Sequence, residues 1–223
     1  MKTYIITLKD IPESYNPAVA AYIKLKQWGH EVHLFDGVNG KTQGIERLKN
    51  EKRTKDKDTL RLDQYHISLL DREGVIGCFY SHYDLWKKCY ELNEPIIIAE
   101  DDLIIYRKYL PVEYEDILLL AVNFDVSRSE EDHLFKEKTF KPLLNKSNRT
   151  PTSIPYISDS IPGATAYAIN PSGAKKLLDR YNSTYNAADF CINSDVCDIK
   201  IHSHLIGRAS NSKSLTQNFS YYT

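Results

Sequence analysis

Long hydrophobic runs are missing from this 223-residue sequence. No segment approaches the roughly 20 consecutive apolar residues that a membrane-spanning helix requires. The apolar stretch near the N-terminus, from Tyr4 to Leu8, is too short for the core of a signal peptide. We therefore expect a protein without a transmembrane segment or secretory leader, located in the cytoplasm.

Cysteine and net charge are also low. The four cysteines show no C-x-x-C spacing, which disfavours a zinc ribbon or a dithiol redox motif and leaves buried free thiols as the simplest interpretation. They are Cys78, Cys89, Cys191 and Cys197. A formal net charge of −1 excludes a global attraction to nucleic acid or to an anionic membrane, although a local basic patch is compatible with it.

The overall composition is that of an ordinary soluble protein. Hydrophobic residues make up 42% of the chain and charged residues 26%, and no internal repeat is present. This length and balance predict one globular domain over residues 1–223.

The most informative feature is the run Glu100-Asp101-Asp102, which directly follows the apolar residues 95–99. Adjacent carboxylates at the end of a buried strand repel one another, so a cation or protons must offset them. Carboxylate oxygens suit Mg²⁺ or Mn²⁺, and these ions keep other coordination positions for water and phosphate. The run therefore predicts a metal site for a diphosphate-bearing substrate. The alternative is that the acids cap a strand or helix and face solvent.

Strand and helix patterns alternate along the chain. Tyr4 to Leu8 and Val32 to Phe35 are typical of strands, and the apolar spacing from Pro17 to Trp28 predicts a helix between them. Later strands are predicted at Ala164 to Ile169 and Ile199 to His204. This alternation predicts an α/β fold.

A second helix carries one apolar face toward the predicted sheet. Its residues follow i, i+4, i+7, i+8 spacing. They are Cys78, His82, Leu85, Trp86, Cys89 and Leu92. Because His82 lies on this face, we interpret it as a core histidine with a buried hydrogen bond, the alternative being a catalytic histidine.

Two polar segments interrupt the alternation, about residues 41–72 and 126–161, and we expect them to be mobile or insert-like. The segment from Arg47 to Arg61 contains seven Lys or Arg residues and only three Asp or Glu residues. That surplus is typical of a solvated helix or loop, but it also suits a polyanionic acceptor.

Several blocks together resemble glycosyltransferase family 25. They are residues 73–86, 97–102 and 163–177, with the strand-like opening at residues 4–8 and the turn at residues 36–40. The family includes lipo-oligosaccharide and collagen galactosyltransferases. The resemblance implies a GT-A-like fold, with a mixed, mostly parallel sheet flanked by helices, that binds a nucleotide diphosphate sugar.

The resemblance also implies roles for the acidic run and for late histidines. Asp102 would bind Mn²⁺ or Mg²⁺, with Glu100 and Asp101 holding ribose or the water ligands of the ion. His204 or His202 would supply a further metal ligand, although a histidine at a strand end also serves structure.

Other residues are assigned to the donor and the acceptor. Thr7, Leu8 and Asp36, at the ends of the first two strands, would border the nucleoside, although Asp36 also suits a plain turn. An inverting transfer needs a carboxylate to accept the acceptor hydroxyl proton, for which Asp189 is the first candidate and Asp195 the second.

Three functions follow as hypotheses. The first is a metal-dependent glycosyltransferase acting on a surface saccharide. The second is a phage-type enzyme that glycosylates hydroxymethylated bases in DNA within the host cytoplasm, motivated by the small size and the basic run. The third is a binding protein that keeps the fold without turnover, against which the intact acidic run speaks.

Overall fold

A computed structural model describes residues 1–56, 64–124, 130–145 and 150–210. A nine-stranded sheet forms its centre, in the order β2-β1-β4-β8-β6-β10-β7, with β11 paired to β6 and β5 paired to β11. The strands are β1 (Lys2–Thr7), β2 (Glu31–Asp36), β4 (Ile96–Ala99), β5 (Leu103–Ile105), β6 (Ile117–Val122), β7 (Ser153–Pro155), β8 (Ala166–Ile169), β10 (Ile199–His202) and β11 (Gly207–Ala209). β3 (Thr54–Lys55) and β9 (Thr184–Tyr185) form a separate pair.

Seven α-helices lie in the described part of the chain. They are α1 (Pro12–Gln27), α2 (Ile45–Glu51), α3 (Gln64–Leu69), α4 (Glu73–Leu92), α5 (Glu130–Leu144), α6 (Pro171–Arg180) and α7 (Ala188–Cys191), and a π-helical turn (Gly40–Gly44) precedes α2. None of the described helices combines the length and the apolar character needed to cross a bilayer.

The sheet is mixed and mostly parallel. β2, β1 and β4 run parallel to one another, and β6, β10 and β11 are parallel as well. β8 runs antiparallel between β4 and β6. The predicted α/β class with a GT-A-like sheet is confirmed.

Apolar clusters cover both faces of the sheet. On one face, Ala18, Ala21 and Leu25 of α1 pack against Ile5 and the neighbouring strands. On the other, α4 and α6 pack together over β4, β6 and β8, with Phe79, Trp86 and Leu177 fully buried. Because the sheet is covered on both sides, strands such as β4 and β6 consist almost entirely of consecutive apolar residues.

The two polar segments contain helices. Residues 40–51 are helical, and α5 occupies 15 residues of the second segment. α5 is anchored by Phe140, which is fully buried and meets the ring of Tyr156 at 5.8 Å. Tertiary packing of Phe140 thus stabilises a helix whose sequence pattern is mostly polar. Residues 57–63, 125–129, 146–149 and 211–223 lie outside the described part of the chain.

Candidate functional site

A cavity of about 140 Å³ lies where β1 and β4 end, against the first turns of α4. Parallel strands end at the same edge of a sheet, where open α/β folds bind their ligands. The lining includes Thr7, Leu8, Ser14, Val38, Gly40, Gly74, Gly77, Cys78, Ser81, His82, Glu100, Asp101 and Asp102. The predicted acidic run and the end of β1 therefore meet at one site.

Two glycines allow the loop after β2 to touch α4. A Cβ on Gly40 would lie 1.7 Å from the Glu73 carbonyl oxygen, and a Cβ on Gly77 would lie 2.6 Å from that of Val38. Ser81 fastens the same contact, since its hydroxyl accepts from the Val38 amide at 2.8 Å and donates to the Gly77 carbonyl at 2.7 Å. The loop thereby forms one wall of the cavity.

The acidic run makes the turn between β4 and β5. Burial, followed by the charges of Glu100 and Asp101, raises the pKa of Asp102 to about 8. Burial likewise raises the pKa of Asp101 to about 6, while a hydrogen bond from Ser14 acts in the opposite direction. Among the described residues, the buried Oδ1 of Asp102 has no hydrogen-bond partner. The site therefore carries crowded carboxylates and an unsatisfied oxygen.

These features fit a hard divalent cation. The donor set consists of carboxylate oxygens, which Mg²⁺ and Mn²⁺ prefer, and an added positive charge would relieve the repulsion that raises the pKa of Asp102. The unpartnered Oδ1 of Asp102 offers a position for the ion. Asp102, with Asp101 or Glu100, would hold it.

A buried chain of hydrogen bonds orients Glu100. The Trp86 Nε1–H donates to the Tyr167 hydroxyl at 2.8 Å, His82 Nδ1 lies 2.8 Å from the same hydroxyl, and His82 Nε2 lies 3.3 Å from Glu100 Oε1. The indole can only donate, so the Tyr167 hydroxyl accepts from it and is free to donate to His82. His82 can then donate to Glu100 from Nε2. The prediction of a core histidine with a buried hydrogen bond is confirmed.

Removal of the Tyr167 hydroxyl tests this chain. Tyr167→Phe leaves the Trp86 Nε1–H and His82 Nδ1 without their shared partner in the core, so we expect a loss of about 1–3 kcal/mol in the free energy of unfolding. Denaturant titration measures it. Tyr106→Phe is the matched control, since the Tyr106 hydroxyl accepts from Arg208 at the exposed surface. Equal stability of both variants would contradict a structural role for the chain.

Cys78 lies beside His82 and Glu100. Its Sγ is 3.5 Å from Glu100 Oε1, and one ligand atom from each of the three residues lies within 4.8 Å of the others. Burial, followed by the charges of Glu100 and Asp189, raises the pKa of the thiol well above its ordinary value. All four cysteines are free, as predicted, and those other than Cys78 are buried.

Ser14 is a cavity residue that the sequence did not single out. Its hydroxyl accepts from the Leu8 amide at 2.9 Å, lies 3.2 Å from the Thr7 hydroxyl, and interacts with Asp101. Thr7 and Leu8 were predicted to border the donor, and both line the cavity. A serine in the first turn of the helix after β1 is the signal that would have pointed to Ser14.

Among the residues predicted to bind the donor or the metal ion, three lie outside the cavity lining. Asp36 is exposed and pairs with Lys9 at 3.2 Å. His202 and His204 are buried at the end of β10, and both ring nitrogens of His202 are engaged, Nε2 with the Leu110 carbonyl at 2.8 Å and Nδ1 with the backbone of His204. A metal-ligand role for the histidines remains a prediction, one that this arrangement does not favour.

The two candidate bases occupy different environments. Asp189 is half-buried in the first turn of α7, and its charge helps to raise the pKa of Cys78, a lining residue. Asp195 is exposed in the following loop, where its amide donates to Asn193 Oδ1 at 3.1 Å. Neither acid belongs to the cavity lining, and a catalytic role for either remains a prediction.

Curated relatives match parts of the chain. Procollagen galactosyltransferase 1-B of Xenopus laevis is 30% identical over 121 residues, which are 52% of this chain and 19% of that protein. Procollagen galactosyltransferase 1-A of the same organism is 29% identical over 158 residues, 66% of this chain and 23% of that protein. A glycosyltransferase 25 family member of Aedes aegypti is 31% identical over 105 residues, 45% of this chain and 16% of that protein. The matches therefore span about a fifth of these relatives' length.

The family comparison covers far more of the sequence. The sequence model described as glycosyltransferase family 25 (LPS biosynthesis protein) matches residues 1–192. This range includes the end of β1, the first turns of α4 and the acidic run, all of which line the cavity. The chain belongs to glycosyltransferase family 25.

Proposed function

We propose that this protein transfers a glycosyl unit from a nucleotide diphosphate sugar to a hydroxyl acceptor, with Mn²⁺ or Mg²⁺ bound at the acidic run. The main support for this proposal is the position of three carboxylates, one with an unpartnered buried oxygen, at the sheet edge of a family 25 protein. A divalent ion there supplies Lewis-acid stabilisation of the departing diphosphate.

The surrounding residues would orient the donor. Gly74 lines the cavity in the first turn of α4, so the electropositive end of a 20-residue helix faces the space proposed for the diphosphate. Thr7, Leu8 and Ser14 form the opposite side and would border the nucleoside. His82 holds Glu100 in position through its ring nitrogen. Together these residues would position the donor.

For an inverting transfer, Asp189 is the proposed base. It would accept the proton of the acceptor hydroxyl as the oxygen attacks the anomeric carbon and the bond to the diphosphate breaks. Asp189→Asn removes this acceptor of protons, so we expect kcat for transfer to fall about 10²–10⁴-fold, with the Kd for the nucleoside diphosphate unchanged. Steady-state kinetics and calorimetry measure the two quantities.

Asp179→Asn serves as the matched control for Asp189. Asp179 is exposed on α6 and pairs with Lys175, away from the cavity lining, so its substitution should leave transfer unchanged. A fully active Asp189→Asn enzyme would remove Asp189 from the proposal and direct attention to Asp195.

A saccharide hydroxyl is the proposed acceptor, and the names of the relatives make galactose the first donor sugar to test. Two arginines of the basic run already have protein partners, which does not favour DNA. Arg47 pairs with Glu51 and Asp84 at 2.8 and 2.7 Å, and the side chain of Arg53 is only 5% exposed and stacks on the Tyr83 ring. Arg61 lies outside the described residues.

A screen of nucleotide sugars and acceptors, with and without Mn²⁺ and analysed by mass spectrometry, tests the function. We expect a glycosylated product that requires the ion. Absence of both transfer and donor hydrolysis, for a folded protein that still binds nucleoside diphosphate, would support the non-catalytic hypothesis. Turnover on DNA that falls steeply with added salt would instead support the phage-type hypothesis.

A further inference from the structure

Cys78, His82 and Glu100 form a second cluster of possible ligands, on the α4 side of the cavity. Cys78 and His82 lie one helical turn apart on α4, and Glu100 faces them from the end of β4. The cluster differs in chemistry from the acidic run, because it combines sulfur, nitrogen and one carboxylate. Borderline ions such as Zn²⁺ select this donor set, whereas Mg²⁺ does not.

Two of the three spacings between the donor atoms match a tetrahedral ion, and the third, between Cys78 and His82, is no more than 4.8 Å. With Zn–S of about 2.3 Å and Zn–N or Zn–O of about 2.0–2.2 Å, neighbouring ligand atoms in a tetrahedron lie about 3.3–3.6 Å apart. Glu100 Oε1 lies 3.5 Å from Cys78 Sγ and 3.3 Å from His82 Nε2. An ion could therefore bind with only a small movement of these side chains.

The far side of the histidine ring supplies an independent observation. Ligating histidines usually hydrogen-bond through the other ring nitrogen, which fixes the ring orientation and the tautomer. Here His82 Nδ1 lies 2.8 Å from the Tyr167 hydroxyl, and Tyr167 is itself held by the Trp86 Nε1–H at 2.8 Å. Nε2 is thereby directed at Glu100 by two fully buried aromatic residues.

We propose that Cys78, His82 and Glu100 bind one Zn²⁺ ion, with the fourth coordination position open to the cavity. On binding, the thiol proton leaves to solvent and the thiolate bonds to the ion, since a coordinating thiol is deprotonated. The ring proton of His82 moves from Nε2 to Nδ1, where it is donated to the second lone pair of the Tyr167 oxygen, so that Nε2 can bond to the ion. Glu100 belongs both to this site and to the acidic run, so a zinc ion would withdraw one carboxylate from the hard-ion site. The proposal does not depend on glycosyl transfer, because zinc binding is measured without donor or acceptor.

X-ray absorption on the wild-type protein loaded with one equivalent of Zn²⁺ is the first test. We expect one sulfur neighbour at about 2.3 Å and nitrogen or oxygen neighbours at about 2.0–2.2 Å. A spectrum with oxygen and nitrogen neighbours alone would overturn the proposal, since it would place the ion at carboxylates. This measurement needs no variant and therefore no assumption about the folding of one.

Variants then identify the sulfur. Cys78→Ser should eliminate the sulfur neighbour and weaken Zn²⁺ binding by more than the about 10–100-fold that loss of an outer hydrogen-bond partner costs. Cys191→Ser, at a buried cysteine outside the cluster, is the matched control. It should keep both the sulfur neighbour and the Zn²⁺ affinity of the wild-type protein. Glu100→Gln should weaken binding while retaining the sulfur neighbour. Retention of zinc–sulfur coordination in Cys78→Ser, or its loss in Cys191→Ser, would refute the assignment.

Discussion

Asp102→Asn is expected to lower ion-dependent turnover of the nucleotide sugar by at least about 10²–10³-fold, the effect of removing one group that stabilises charge developing in a transition state. The amide keeps the size of the side chain but removes the negative charge that an ion would contact. Steady-state kinetics at saturating Mn²⁺ measure the loss. Asp179→Asn, on the exposed surface of α6, is the control with the same chemical change.

Asp102→Asn should not lower the free energy of unfolding at pH 8, although it lowers turnover. This difference separates loss of function from loss of fold. In the folded protein the pKa of Asp102 rises from 3.8 to about 8. Between those values the folded state holds a proton that the unfolded state has released, so the stability of the ion-free protein falls as pH rises through this window. The limiting slope for one proton is about 1.4 kcal/mol per pH unit.

Asp102→Asn should flatten this pH dependence and leave the free energy of unfolding at pH 8 equal to or above that of the wild-type protein. Chemical denaturation in EDTA at pH 5 and pH 8 measures both proteins. If the variant keeps full turnover, or loses stability at pH 8 while turnover falls, Asp102 is a structural residue and the ion site lies elsewhere.

Gly40→Ala is expected to have the largest effect on folding. The added Cβ would lie 1.7 Å from the Glu73 carbonyl oxygen, so either the loop after β2 or the start of α4 must move. Backbone atoms cannot rotate away as a flexible side chain would. We expect a loss of about 3 kcal/mol or more in the free energy of unfolding, together with loss of donor binding.

Gly29→Ala is the matched control for Gly40. Gly29 has a φ of +78°, but a Cβ there meets nothing within 4 Å, so the expected cost is only about 1 kcal/mol from the left-handed backbone. Denaturant titration of both variants provides the comparison. Comparable losses at the two positions would show that the loop–helix contact is not tight, and that it does not shape the cavity.

Local sequence was sufficient to predict β1, β2 and β4 and the location of the acidic run. β1 and β4 are short, largely apolar segments, β2 is rich in strand-forming residues after the turn at Gly29, and the acids follow β4 directly. The apolar face of α4 was also predicted, apart from Leu92, which is 40% exposed near the end of the helix. These features depend on residues close together in the chain, which periodicity captures.

Contacts between distant residues were not predictable in this way. Ser14 reaches Asp101 across 87 positions of sequence, and the Tyr167 hydroxyl meets His82 across 85. His202 and His204 belong to a residue type that often binds metal ions, but both ring nitrogens of His202 are hydrogen-bonded to backbone groups. Only the folded arrangement shows which polar groups are already satisfied.

A crystal structure with Mn²⁺ and a nucleoside diphosphate, chosen from ADP, GDP and UDP by tightest binding, would show whether the acidic run binds the ion and the donor. We expect an anomalous manganese peak in contact with Asp102, with the diphosphate lying between the acidic run and the first turn of α4. Manganese and diphosphate bound together elsewhere, away from the carboxylates of residues 100–102, would contradict it.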